Sequence, residues 1–281
     1  KSPASRTNAF IQAKLNAEEA FKAAPDMTPY VMTLNGNVES IEFVDEVEGT
    51  RVKFVSETSD SIFVDELADG NLFKHIVKRT TTKDGKESVK DYCVYLIISK
   101  DMTEDDNPRS KMIVMLPIVE DADGSMRVIR FTQGLPLIYI HLPLLGTESW
   151  GFNFMLHSSL FTCDKDSRDS LRLVGNGQNN DYQADTNREL IALANNLICQ
   201  FIDKNLATLK DAKYLVKAAF LTEQADKKLG EYYSGLQKFW RDKFESLCIA
   251  DSMTGGKCLV SSIKVLDSTL CDACEEDSTL L

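Results

Sequence analysis

The chain has 281 residues, 43% hydrophobic and 27% charged, enough to fill one large domain or two ordinary ones and to bury most of its unfolded surface. Its 43 acidic against 32 basic side chains leave a formal net charge of −11, which argues against a protein that grips a nucleic-acid backbone but allows one local nucleotide site. Seven scattered cysteines argue against a disulfide scaffold and for a reduced, cytoplasmic setting, and the longest apolar runs fall well short of the roughly 20 residues a membrane helix needs.

In chain order, residues 6–23 place Phe10, Ile11, Leu15 and Phe21 at helical spacing among good helix formers, with Pro25 and the sequence DMTP predicted to stop the helix. From Tyr30 to Phe131 the period changes to two. SIEFVDE, TRVKFVSE, SIFVDEL, LFKHIVKRT, DYCVYLIIS and KMIVMLPIVED are alternating or solidly β-branched and aromatic. Turn signals separate them at NGN, EGT, ADGN, KDGK, DDNP and DADG, which predicts a large, mostly antiparallel sheet built of hairpins.

The apolar run that starts at Gly134 has the composition of a strand buried on both faces. It leads through a turn at Gly146, Thr147 and Glu148 to a short strand, FMLHSS, and then to a polar loop where Arg168 stands among Asp164, Lys165, Asp166 and Asp169. Beyond Arg172, residues 174–184 read as a polar loop. Asp185 or Thr186 is predicted to cap a helix to about Asp203, with Leu190, Leu193, Leu197 and Phe201 on one face. Further helices are predicted over 208–221 and 225–248, followed by a hairpin turning at Gly255 and Gly256 and a disordered EEDSTLL tail. The expected fold class is α+β. Its expected units are a helix plus β-rich region over 1–175, a helical region over 176–250, and a hairpin with a flexible tail over 251–281.

The chain carries no P-loop, no GxGxxG after a strand, no HExxH and no GxSxG. VGNGQNN has one close glycine pair before polar residues and reads as a loop rather than a phosphate cradle. The CDAC of Cys271 and Cys274 has neither a second pair nor a histidine nearby, so it reads as an incidental segment. His141, inside the apolar run, reads as structural; His157, at the strand leading to the arginine loop, is a candidate ligand-facing side chain. Asp164, Asp166 and Asp169 lack the glycine and terminal glutamate of a calcium loop, and no metal site is expected. On composition alone, Arg168 reads as a surface arginine paired with its aspartates.

Taken together, Pro143, Leu144, Gly146, Thr147, Glu148, Phe152, Ser158, Phe161, Arg168 and Asp169, with Pro29 to Met32 upstream and a tryptophan helix before a GG hairpin downstream, form a pattern spanning most of the chain. It resembles the large bacterial ATP-binding proteins of the GHKL superfamily, the Hsp-ninety-like and sacsin-like chaperone-type ATPases. The Glu-x-x-x-Asn helix, Asp-x-Gly-x-Gly turn and glycine-rich lid of their nucleotide domain are missing. The resemblance therefore implies the middle, transducer-like region, similar to the second domain of ribosomal protein S-five, with its C-terminal helices. It implies ATP and Mg²⁺ bound mainly by an upstream nucleotide-binding domain outside this chain, which alone is not expected to hydrolyse ATP. Arg168 would cross the domain cleft to the γ-phosphate as the catalytic contact, with Arg172 and His157 as further phosphate-side residues. A homodimer or another protein is the further partner it implies, with neither a membrane nor nucleic acid engaged through this segment.

Overall fold

The computed structural model describes residues 24–35, 38–57, 61–100, 112–131, 134–140, 143–148, 150, 153–164, 170–175, 181–215, 226–251 and 256–263. Among these the fold is α+β: a large, mostly antiparallel mixed sheet, helices on and beside it, and a strand hairpin toward the C-terminus. No helix among the described residues is long and apolar enough to cross a membrane.

Residues 24–34 are helical (α1), where the sequence predicts Pro25 and DMTP to stop a helix and a period of two from Tyr30; the helix predicted over 6–23 lies outside the described residues. Packing overrides the two prolines. Met27, Tyr30, Val31 and Leu34, spaced i, i+3, i+4, i+7, all lie against the main core, and Tyr30 meets Phe131 edge-on at 5.1 Å between ring centroids. The hydroxyls of Thr28 and Thr33 donate to the carbonyls of Ala24 and Pro29 one turn back, at 2.8 and 2.7 Å, which satisfies both hydroxyls within the helix.

The predicted strands form in place: β1 (Ser40–Asp45), β2 (Thr50–Ser56), β3 (Ile62–Glu66), β4 (Gly70–Lys83), β5 (Lys86–Ser99), β6 (Ile113–Leu116) and β7 (Ile118–Glu120), the last pairing with β8 (Met126–Val128). The β4–β5 turn puts Asp84 and Gly85 at φ 52° and 72°, the left-handed pair that an Asp-Gly hairpin supplies. β5 covers one edge of β4 along its whole length; on the other edge β2 takes Val77 to Lys83 and β3 takes Asn71 to Lys74, so β2 and β3 lie end to end.

The apolar run after Gly134 is not the long buried strand that its composition predicts. Among its described residues only β9 (Ile138–Tyr139) forms a strand of the sheet, in parallel with β10 (Met155–His157), itself antiparallel to β6. The run folds back on itself instead: Leu144 N–H donates to the Ile138 carbonyl at 2.8 Å, and Pro143 bridges Tyr139. The buried Thr147 hydroxyl fixes this bend, accepting the N–H groups of Leu137 and Ile138 at 3.0 and 3.2 Å and donating to the Leu144 carbonyl at 2.7 Å.

Helix α2 (Tyr182–Asn205) starts earlier than predicted because Asp181, not Asp185 or Thr186, is its cap. Its buried stripe of Leu190, Ile191, Ala194, Leu197, Ile198, Phe201 and Ile202 lies on the sheet. Gly70 allows that approach, since a Cβ there would sit 2.8 Å from Leu197 Cδ2 and 2.9 Å from the Ile98 carbonyl. The helix predicted over 208–221 is, in its described part, a turn and a short 3₁₀ helix, Ala212–Tyr214. The backbone of Lys210 has joined β8 instead, exchanging bonds of 3.0 Å with Val128 and Met126, and Asp211 then turns away with φ 54°. Asp226 caps α3 (Lys227–Glu245), whose buried Trp240 packs on Phe154 at 5.8 Å. β11 (Cys248–Asp251) and β12 (Lys257–Leu259) form the closing hairpin, with Gly256 at φ 92°. One apolar cluster takes in the inner halves of β4 and β5, β6, β9, β10, α2 and Trp240 of α3; a second, small one holds Met32, Val52, Phe54 and Val77.

Candidate functional site

Strand β10 rises through the sheet between β6 and β9 and stops at Ser158, whose buried hydroxyl accepts the Leu160 N–H at 3.2 Å. Buried Phe161 then anchors the chain, and from Thr162 to Asp164 it runs antiparallel to Ser170 to Arg172. Two main-chain bonds tie these stems: Arg172 N–H to the Thr162 carbonyl at 3.0 Å and Asp164 N–H to the Ser170 carbonyl at 2.9 Å. The five residues between the stems, 165–169, are those the sequence singles out, and Arg168, Lys165, Asp166 and Asp169 lie outside the described residues, as do His141, Cys271 and Cys274.

The base of that segment is fixed from below by one side chain. Asn187, fully buried on α2, accepts the Thr162 N–H at 2.9 Å and donates to the carbonyls of Thr162 and Arg172 at 2.7 and 2.8 Å. One carboxamide therefore bridges both stems to the helix. The Arg172 carbonyl is buried and the Thr162 groups are partly so, and a buried hydrogen bond left unmade costs about 1–3 kcal/mol.

Asp181 is the second fastening. One of its oxygens accepts the Ala184 N–H at 3.2 Å and caps α2; the other accepts Nε of Arg172 at 2.7 Å and an Nη group of the same guanidinium. The Arg172 guanidinium beside it is the main reason the Asp181 carboxyl titrates below the usual carboxylate range. Gly175 makes the close approach possible, because a Cβ there would lie 2.7 Å from the Asp181 Cβ. Arg188, one turn up α2, donates to the Leu173 carbonyl and pairs with Asp185.

Two residues expected on the phosphate side thus receive other surroundings. Arg172 is 8% exposed with its guanidinium on Asp181, so a phosphate could engage it only by displacing that carboxylate. His157 is half-buried in β10, with Nδ1 3.2 Å from the Tyr139 carbonyl. Asn187 and Asp181, which organise the site, were not singled out by sequence. For Asn187 a signal existed: it is in phase with the apolar stripe of Leu190, Ile191 and Ala194, and a polar residue on a buried stripe must be hydrogen-bonded. Among the described residues no three His, Cys, Asp or Glu side chains gather as a metal-holding group.

Comparison with protein-family models, with curated proteins and with solved structures returns no match to this chain.

Proposed function

We propose that the chain is the transducer-like region of a GHKL-type ATPase, in which the 165–169 segment presents Arg168 to the γ-phosphate of a nucleotide held by another domain. The reading rests on the resemblance running from Pro143 to Asp169, and one structural observation supports it: the segment carrying Arg168 springs from two stems pinned to α2 through Asn187. An arginine that acts across a domain cleft needs such a base, because positioning and charge neutralisation are most of what the protein supplies in phosphoryl transfer. Of the two arginines the reading takes Arg168 as the phosphate contact, because Arg172 is occupied in holding Asp181. ATP and Mg²⁺ would be held by the other domain, and this chain's contribution is one permanent positive charge whose arrival depends on domain closure.

The test is ATP turnover by the full-length protein carrying Arg168→Ala. The expected result is a fall in kcat on the order of 10³-fold with little change in nucleotide affinity. Unchanged turnover in a folded variant overturns the assignment. A second reading is a protein-interaction module, which the exposed apolar side chains of Ile62, Phe63 and Val64 on β3 favour.

A further inference from the structure

Helix α3 runs beside α2 in the same direction, with Arg188 and Glu231 near one end of the contact and Lys243 reaching Asp203 at 2.6 Å near the other. Between the two helices lies a groove of about 320 Å³, at the small end of the range that holds small molecules. Ala192, Tyr232, Leu236 and Phe239 give it mostly apolar walls, and Phe239 is 43% exposed.

Two further residues of the lining weaken the fold rather than support it. Asn195 is 3% exposed, yet its Oδ1 accepts no hydrogen bond from any described residue. On the same buried stripe Asn187 engages three main-chain groups, so the contrast lies in surroundings and not in residue type. A buried acceptor without a donor is destabilising, and an apolar helix former would serve α2 better at position 195. Gly235 stands in the interior of α3, where only proline is a poorer helix former. Packing does not require it: a Cβ there would meet nothing within 4 Å. What the missing side chain preserves is room in the groove. Both costs fall on the same small surface.

We propose that this groove binds a small, uncharged aromatic molecule that donates one N–H or O–H to Asn195. No hydrogen bond holds Oδ1 where it is, so a turn of the carboxamide carries it to the groove that the residue lines. The open space over Gly235 admits a flat ring, and Tyr232 and Phe239 offer aromatic partners to it. The occupant is uncharged because the charges at the rim are already engaged. Arg188 pairs with Asp185 and donates to the Leu173 carbonyl, and Glu231 pairs with Lys227 at 3.7 Å. About 320 Å³ suits one or two rings, not the row of anchors that a partner helix lays into a groove.

Titration of the isotope-labelled full chain with indole, followed by amide chemical shifts, tests this beside benzofuran, a ring of the same shape with no N–H. Indole is expected to bind saturably, with shifts centred on α2 and α3, and benzofuran about tenfold more weakly because it leaves Asn195 unpaired. Gly235→Leu should fill the groove and raise the indole Kd at least about tenfold, while the melting temperature holds or rises because leucine is the better helix former. Asn195→Leu should make the two rings bind alike. No saturable binding of indole below about 5 mM, equal affinity for benzofuran, or indole binding that Gly235→Leu leaves unchanged overturns the proposal. So does a concentration-dependent dimer, seen by sedimentation, that Gly235→Leu dissolves, which would give the groove to a second copy.

Discussion

The β4–β5 hairpin belongs to two environments at once. At its inner end, Leu72, Val94, Tyr95, Leu96 and Ile97 are buried in the main core and α2 packs close enough that only glycine fits at position 70. At its outer end, residues 86–91 of β5 are all exposed, and support comes from the small cluster of Met32, Val52, Phe54 and Val77. The ladder hydrogen bonds are alike in both halves. The cover differs, and cover supplies most of the stabilisation because it scales with apolar area removed from water. A continuous ladder can thus have a firm half, against which α2 packs, and a lightly held half, which ends in the exposed Asp84-Gly85 turn.

The sharpest test removes one fully buried phenylalanine from each end. Phe154→Ala should cost about 4 kcal/mol and lower the denaturation midpoint of the whole chain, since Phe154 packs against Trp240 inside the main core. Phe54→Ala, which loses contacts with Phe43, Tyr92 and the Arg79 guanidinium, should cost about 3 kcal/mol. Hydrogen exchange should then accelerate in β1, β2 and the outer ends of β4 and β5 while α2 stays protected. Equal acceleration in α2 would show that the two ends unfold together, and the contrast would fail.

Next in size is the clamp. Asn187→Ala leaves the Thr162 N–H and the carbonyls of Thr162 and Arg172 without that partner, for a loss of about 3 kcal/mol in urea unfolding. Alanine is the better helix former, so a helix-only role for Asn187 predicts no loss. The sign of the change separates the two.

Much of the sheet was legible in the sequence, because a period of two with Asp-Gly and similar turn signals reports strands directly, and β1 to β7 lie where those runs fall. The errors share a cause. Pro25 and Pro29 read as breaks, yet α1 continues through them because Met27, Tyr30, Val31 and Leu34 have a core to cover. The run after Gly134 read as one strand because apolar content says that a segment is buried, not which backbone partner it takes; Thr147 takes two of its N–H groups and bends it. Residue 210 read as helical and was captured by β8, a pairing across more than 80 positions that no local pattern records. At the candidate site, the sequence pointed to Arg168, while the residues that fix its base, Asn187 and Asp181, act through contacts that only the fold creates.

The smallest effect, and the one that resolves the two regions by pH, involves two groups shifted in the same direction. Where the two regions meet, His75, opposite Val94 on β5 and buried with Nε2 at 2.8 Å from the Ser56 hydroxyl, is held below its ordinary value of 6.5 by desolvation. In the inner region Asp181 is held below its ordinary 3.8, chiefly by Arg172. For each, the unfolded chain binds the proton more readily than the folded one, so stability rises with pH through the interval between the folded and the ordinary value. The His75 contribution is therefore complete above 6.5 and fades as the pH falls through its depressed value; that of Asp181 is complete above 3.8 and fades only below it. Unfolding free energy followed from neutral to acid pH should show two separate declines. His75→Gln should flatten the one that begins just below 6.5 and leave the other. Asp181→Asn, which keeps a good helix cap but no charge, should remove only Asp181's share of the more acidic one, to which the similarly lowered Asp65, Glu66, Asp121 and Asp123 also contribute. A first decline that survives His75→Gln overturns the assignment, since it then belongs to another titrating group.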